Sequence, residues 1–273
     1  MASATPGDGY WLLDAQGFVF EFGNAQYYGQ PADDWDYPDC SPGFAWVHGF
    51  CDHPIDLEPT PDGKGYWIVD TSGYVWNFGS AQWWGGFDDP SSWNKVTQIK
   101  STPSGNGYWI FTNRGDVFTY GDAPFLGSMS GVQLNGEIVA ATVTPTGLGY
   151  WMLGADGGIF SFGDAQFYGS TGNMVLNQPV VGMAPTPTNR GYWLVASDGG
   201  TFSFGDASFF GSLGGVPLNK PIVGMAQSYA GDGYTLVGAD GGVFTFGPGA
   251  PFHGSLGNNP PVWPVWNVST TRT

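Results

Sequence analysis

Short apolar and aromatic runs recur along this chain at a fixed period, broken by glycine-rich turns. The string GYW, or its variant GYT, begins at Gly9, Gly65, Gly107, Gly149, Gly191 and Gly233. From Gly65 onward the starts are 42 residues apart, whereas Gly9 and Gly65 are 56 apart. The clearest copy runs from Gly191 to Ser212. Tyr192 to Ala196 is apolar and reads as a strand. Ser197-Asp198-Gly199-Gly200 is a tight turn, where glycine supplies a positive φ. Thr201-Phe202-Ser203-Phe204 alternates polar and apolar, as a half-buried strand does. After the Gly205-Asp206-Ala207 turn, Ser208 to Ser212 reads as a short outer strand, and Ile222 to Ala226 as a wholly apolar inner one. Equivalent inner strings are Val180 to Ala184 and Ile138 to Ala141, with a weaker copy at Val96 to Ile99. No stretch carries a helical period.

Four strands in about 42 residues is the length of one propeller blade. The expected fold is therefore all-β, a six-bladed β-propeller of four-stranded antiparallel blades, with residues 1–273 as a single domain. Little chain precedes Gly9, while Pro261 to Val268 aligns with the inner-strand position. The C-terminal strand is thus expected to complete the blade begun at the N-terminus and close the ring, removing a free sheet edge. An open β-solenoid is the competing architecture; it would need capped ends and no strand exchange between termini.

Composition sharpens this picture. The 273 residues include 46 Gly and 21 Pro, with 17% aromatic and only 11% charged. That suits many short strands and tight turns, and argues against disorder. The formal net charge is −16, which repels phosphate backbones and anionic lipid, so neither nucleic acid nor a membrane is an expected partner. No segment is long and apolar enough to span a bilayer as a helix. The opening MASATPGDGYWLL has no basic n-region and is not expected to be a signal peptide.

The repeats resemble a known family. Gly149 to Ser170 and Gly191 to Ser212 closely match GYWLVASDGGxFSFGDAxFYGS, a repeat of actinobacterial secreted and surface proteins and of actinobacteriophage proteins. The resemblance implies a β-propeller on an extracellular or virion surface. It implies no reaction and supplies no catalytic residues.

Candidate chemistry lies where repetition fails. The first repeat carries an insert from Pro31 to Asp52, rich in acids and aromatics. Aromatic faces beside carboxylates suit sugar stacking or a protein contact. The expected ligand-binding residues are Asp33, Asp34, Asp36, Trp35, Tyr37 and Trp46 of the insert, with Trp83, Trp84 and Trp93 of the second repeat. Asp39, Asp52, Asp56, Glu58 and Glu137 are further acids outside the repeat pattern. Cys40 and Cys51 are expected to form a disulfide, which fits an oxidising setting. The alternative is a zinc set with His48 and His53, at irregular spacing.

Catalysis finds little support. Asp156, Asp198 and Asp240 share one turn and Asp122, Asp164 and Asp206 another, as turn caps would. A sialidase would need converging arginines, but Arg114 and Arg190 fall in separate turns and Arg272 in the tail. The expectation is a non-catalytic binding or structural propeller, located on a virion tail or at a cell surface. Its partner would be a surface glycan or a neighbouring structural protein, with no cofactor. A secreted lectin-like module is the alternative, and a glycan hydrolase the weaker third.

Overall fold

The computed structural model describes residues 9–33, 53–87 and 94–272. Among these residues are eighteen strands in six three-stranded antiparallel sheets. Each GYW string forms the middle strand of a sheet: β1 (Gly9–Asp14), β4 (Gly65–Asp70), β7 (Gly107–Thr112), β10 (Gly149–Gly154), β13 (Gly191–Ala196) and β16 (Tyr234–Gly238). Each pairs through a tight turn with the alternating strand that follows: β2 (Val19–Gly23), β5 (Val75–Gly79), β8 (Val117–Gly121), β11 (Ile159–Gly163), β14 (Thr201–Gly205) and β17 (Val243–Phe246). The inner strands are β3 (Pro54–Pro59), β6 (Val96–Ser101), β9 (Ile138–Val143), β12 (Val180–Pro185), β15 (Ile222–Gln227) and β18 (Val265–Thr270). They stand beside one another in chain order, and β18 stands beside both β15 and β3. β18 pairs with β1, the middle strand nearest the N-terminus.

The GYW motif has a separate physical reason at each position. A Cβ on Gly149 would lie 2.3 Å from Asp164 Oδ1 and 2.5 Å from the Ala165 nitrogen, so only glycine lets the strand meet that turn. The tyrosine reaches out of its own sheet. Tyr150 Oη accepts from the Leu126 N–H (3.2 Å) and donates to the Gly127 carbonyl (2.5 Å), both in the preceding repeat. Tyr66, Tyr108, Tyr192 and Tyr234 repeat this contact, and Tyr10 makes it with His253 and Gly254 across the chain ends. The tryptophan reaches outward within its own repeat, as where Trp151 Nε1 donates to the Gln166 carbonyl (2.8 Å). Trp11, Trp67, Trp109 and Trp193 do the same.

These contacts explain a departure from the expected four-stranded blade. The segment read as an outer strand, such as Ser208 to Ser212, is not a strand. Its backbone groups are met by a tryptophan N–H and a tyrosine hydroxyl instead of a ladder. Burial raises several of these phenols above their usual value, Tyr108 to about 12. Tyr150→Phe should cost about 1–3 kcal/mol, because it leaves buried backbone groups unpaired; chemical denaturation of the variant would measure this.

The repeated acids are turn fasteners. Asp206 accepts from Thr186 and Thr188, Asp164 from Thr144 and Thr146, and Asp122 from Thr102 and Ser104. In the second repeat the roles exchange, with Asp62 on the first turn accepting from Thr60 and Ser80. Asp156, Asp198 and Asp240 each accept from a glycine N–H two residues on.

Candidate functional site

The inner strands from all six sheets line one cavity of about 800 Å³. Sheet register aligns them residue by residue. At the first aligned position stand Asp56, Gln98, Ala140, Gly182, Gly224 and Asn267. Two residues on stand Glu58, Lys100, Thr142, Ala184, Ala226 and Ser269. The cavity therefore has a polar wall on β18, β3 and β6, and a mainly apolar one on β9, β12 and β15, where Met183 and Met225 also line it.

An ion network ties the polar wall together. Lys100 Nζ lies 2.9 Å from Asp56 Oδ2 and 3.3 Å from Glu58 Oε2. Asp56 also accepts from the Ile99 N–H (3.0 Å) and from Asn267 Nδ2 (2.5 Å). Glu58 accepts from the Ser101 N–H and hydroxyl, and Arg272 Nη2 lies 2.5 Å from its Oε1. Both carboxylates are buried. Burial pushes Asp56 above the usual carboxylate range, against the pull of Lys100. Burial acts on Glu58 in the same sense, but Arg272, Lys100 and Ser101 together hold it below that range. Burial disfavours charge on Lys100, yet the two carboxylates outweigh it and raise its ammonium above the usual value.

Of the site residues expected from sequence, Trp35, Tyr37, Trp46, Trp93, Asp34 and Asp36 lie outside the described residues, as do Cys40 and Cys51. Asp33 is exposed and accepts from Tyr27 Oη (2.8 Å) and Gln30 Nε2 (3.0 Å). The structure separates the two tryptophans of the second repeat. In the pair Trp83-Trp84 only Trp83 faces solvent, and every repeat follows the same order. Tyr27, Trp83, Phe125, Phe167, Phe209 and Phe252 are 46% to 62% exposed. Trp84 packs against the neighbouring sheet and its Nε1 donates to the Gly105 carbonyl (3.3 Å). Trp84→Ala should thus destabilise by about 2–4 kcal/mol, while Trp83→Ala should change stability by under about 0.5 kcal/mol. Paired thermal melts would check both.

Sequence reasoning singled out Asp56 and Glu58 but missed their partners Lys100 and Arg272. It placed Arg272 in a tail, whereas its guanidinium reaches the cavity. The weak apolarity of Val96 to Ile99 was the available signal, since an inner strand with polar side chains marks the polar wall.

Among solved structures, the chain resembles the β-propeller domain of Cps50 (Swd1) from Myceliophteria thermophila. The TM-score is 0.51 at 10% identity, over 79% of this chain and 71% of that one. The fold is that of a β-propeller. Its six three-stranded sheets are consistent with six blades. At that identity the likeness carries architecture alone. No protein-family model matches the chain, and no curated protein does.

Proposed function

We propose that this chain is a non-catalytic binding β-propeller, closed into a ring by β18. It would work at a cell surface or on a virus particle, through contact with a glycan or a protein. The carrying observation is the condition of the two acids of β3 beside the cavity. Asp56 and Glu58 depart from the repeat, and Glu58 lines the cavity, as a catalytic carboxylate would. Both are committed to Lys100, Arg272, Asn267 and backbone N–H groups across three strands. A general acid or nucleophile must reach the reacting atom with a free lone pair or proton. These carboxylates instead fasten β3, β6 and β18 to one another, and what the channel offers a visitor is shape and hydrogen bonding. The Tyr10 contact with His253 and Gly254 supports closure, because it joins the chain ends by the same bond that joins every other pair of neighbours.

The test is adsorption to purified bacterial cell walls, with bound protein and soluble reducing sugar measured in the same sample. The expected result is retained protein with no reducing ends above the blank. Sugar release that grows with protein concentration would show catalysis and overturn the reading.

A further inference from the structure

The turn that follows each inner strand borders one mouth of the cavity. It carries proline in four repeats, as Pro61, Pro103, Pro145 and Pro187, all lining the cavity. In the other two repeats the same place holds Tyr229 and Arg272. Their strands, β15 and β18, are neighbours. Tyr229 is exposed although it borders a cavity, so its ring is open to a visitor. Two residues before it, Gln227 also lines the cavity, and its buried Oε1 has no hydrogen-bond partner among the described residues. A buried acceptor left unpaired has lost its bond to water and wants a donor. Arg272 uses Nη1 on Ser101 and Nη2 on Glu58, which occupies two of the five donors of a guanidinium.

We infer that this mouth is a binding site for neutral carbohydrate, with Tyr229 as the stacking surface and Gln227 and Arg272 as the hydrogen-bonding groups. The inference rests on the binding reading above and deepens it. Charge argues against small ions as the occupant. A cation would need free carboxylate, but Asp56 and Glu58 are already paired. An anion would meet a net charge of −16 and an arginine already joined to Glu58. A sugar ring carries no charge and presents an apolar C–H face on one side with hydroxyls around its edge. The face suits an exposed tyrosine, and a hydroxyl can donate to Gln227 Oε1 while accepting from Arg272. Ala184 and Ala226 add apolar lining to the same cavity. Its volume of about 800 Å³ falls within the usual span of small-ligand sites.

The experiment is a printed array of neutral gluco-, galacto-, manno-, arabino- and N-acetylglucosaminyl oligosaccharides with charged glycans alongside, probed with the full chain. Titration of the best neutral ligand onto Tyr229→Ala, Gln227→Leu and Trp83→Ala follows. Wild-type protein should bind at least one neutral oligosaccharide. Tyr229→Ala should weaken that binding about tenfold with an unchanged melting temperature, since its side chain is exposed. Gln227→Leu should weaken it similarly, and Trp83→Ala should leave it unchanged. Binding confined to charged glycans, no glycan bound at all, or loss on Trp83→Ala with full binding by Tyr229→Ala would each overturn the inference. Cleavage of a bound oligosaccharide with Tyr229-dependent affinity would instead retain the site and overturn the non-catalytic reading.

Discussion

Removing residues 262–273 should abolish a monomeric folded state. The deletion takes away β18, and with it the whole ladder on one side of β1. It also removes Asn267 and Arg272, partners of the buried Asp56 and Glu58, and the Thr271 N–H that donates to the Gly9 carbonyl. The loss combines a sheet edge, part of a buried ion network and the burial of Val265 and Val268. Folded domains hold only about 5–15 kcal/mol in total, so this loss is expected to use up most or all of the margin. The exposed β1 edge then offers unpaired backbone groups to a second chain, and aggregation follows. Size-exclusion chromatography and a thermal scan would read the outcome. A monomer melting at the wild-type temperature would show that β18 does not close the ring.

Lys100→Met should destabilise the protein by about 3–5 kcal/mol at neutral pH, the cost of breaking a buried ion pair from one side. The methionine keeps most of the side chain's length and removes the ammonium that Asp56 and Glu58 share. Two buried carboxylates then lie near each other with one fewer counter-charge. The pH dependence distinguishes this from a packing defect. Burial already raises Asp56 above its usual value, and loss of Lys100 raises it further. A carboxyl raised on folding contributes stability at low pH and loses it as pH rises through the folded value. The deficit of the variant should therefore shrink as pH falls from neutrality toward the acid range. In the wild type Glu58 acts oppositely, because its lowered value contributes stability that is lost on acidification. Urea melts of both proteins between neutral and mildly acid pH would show the curves converging. A deficit independent of pH would indicate that Lys100 acts by packing alone.

How much was legible in the sequence differed by strand. The middle and second strands were readable because their patterns are local: GYW, then a glycine turn, then alternation. The outer segment misled because its aromatics look like a strand, while its backbone partners are side chains of other segments, with Leu126 and Tyr150 24 positions apart. β3 escaped notice because Asp56 and Glu58 break the apolar string that marks the other inner strands. Their acidity reads as solvent-facing until Lys100, 44 positions from Asp56, is brought beside them. Trp83 and Trp84 are identical letters, and only the neighbouring sheet decides which one packs against it.

By itself the sequence determined the number of repeats, their middle and second strands and the structural role of the recurrent aspartates. A repeat constrains every copy to the same hydrogen bonds, some within a turn as at Asp198 and others about half a repeat away as between Asp206 and Thr186. The tertiary structure alone decided which residues meet at the channel. Six strands from positions 54 to 270 converge there, and the charges that neutralise one another come from β3, β6 and the residue Arg272 just past β18. Whether a buried carboxylate is costly, paired or reactive depends on the dielectric and on the partners that folding places around it, and neither is written in the spacing along the chain.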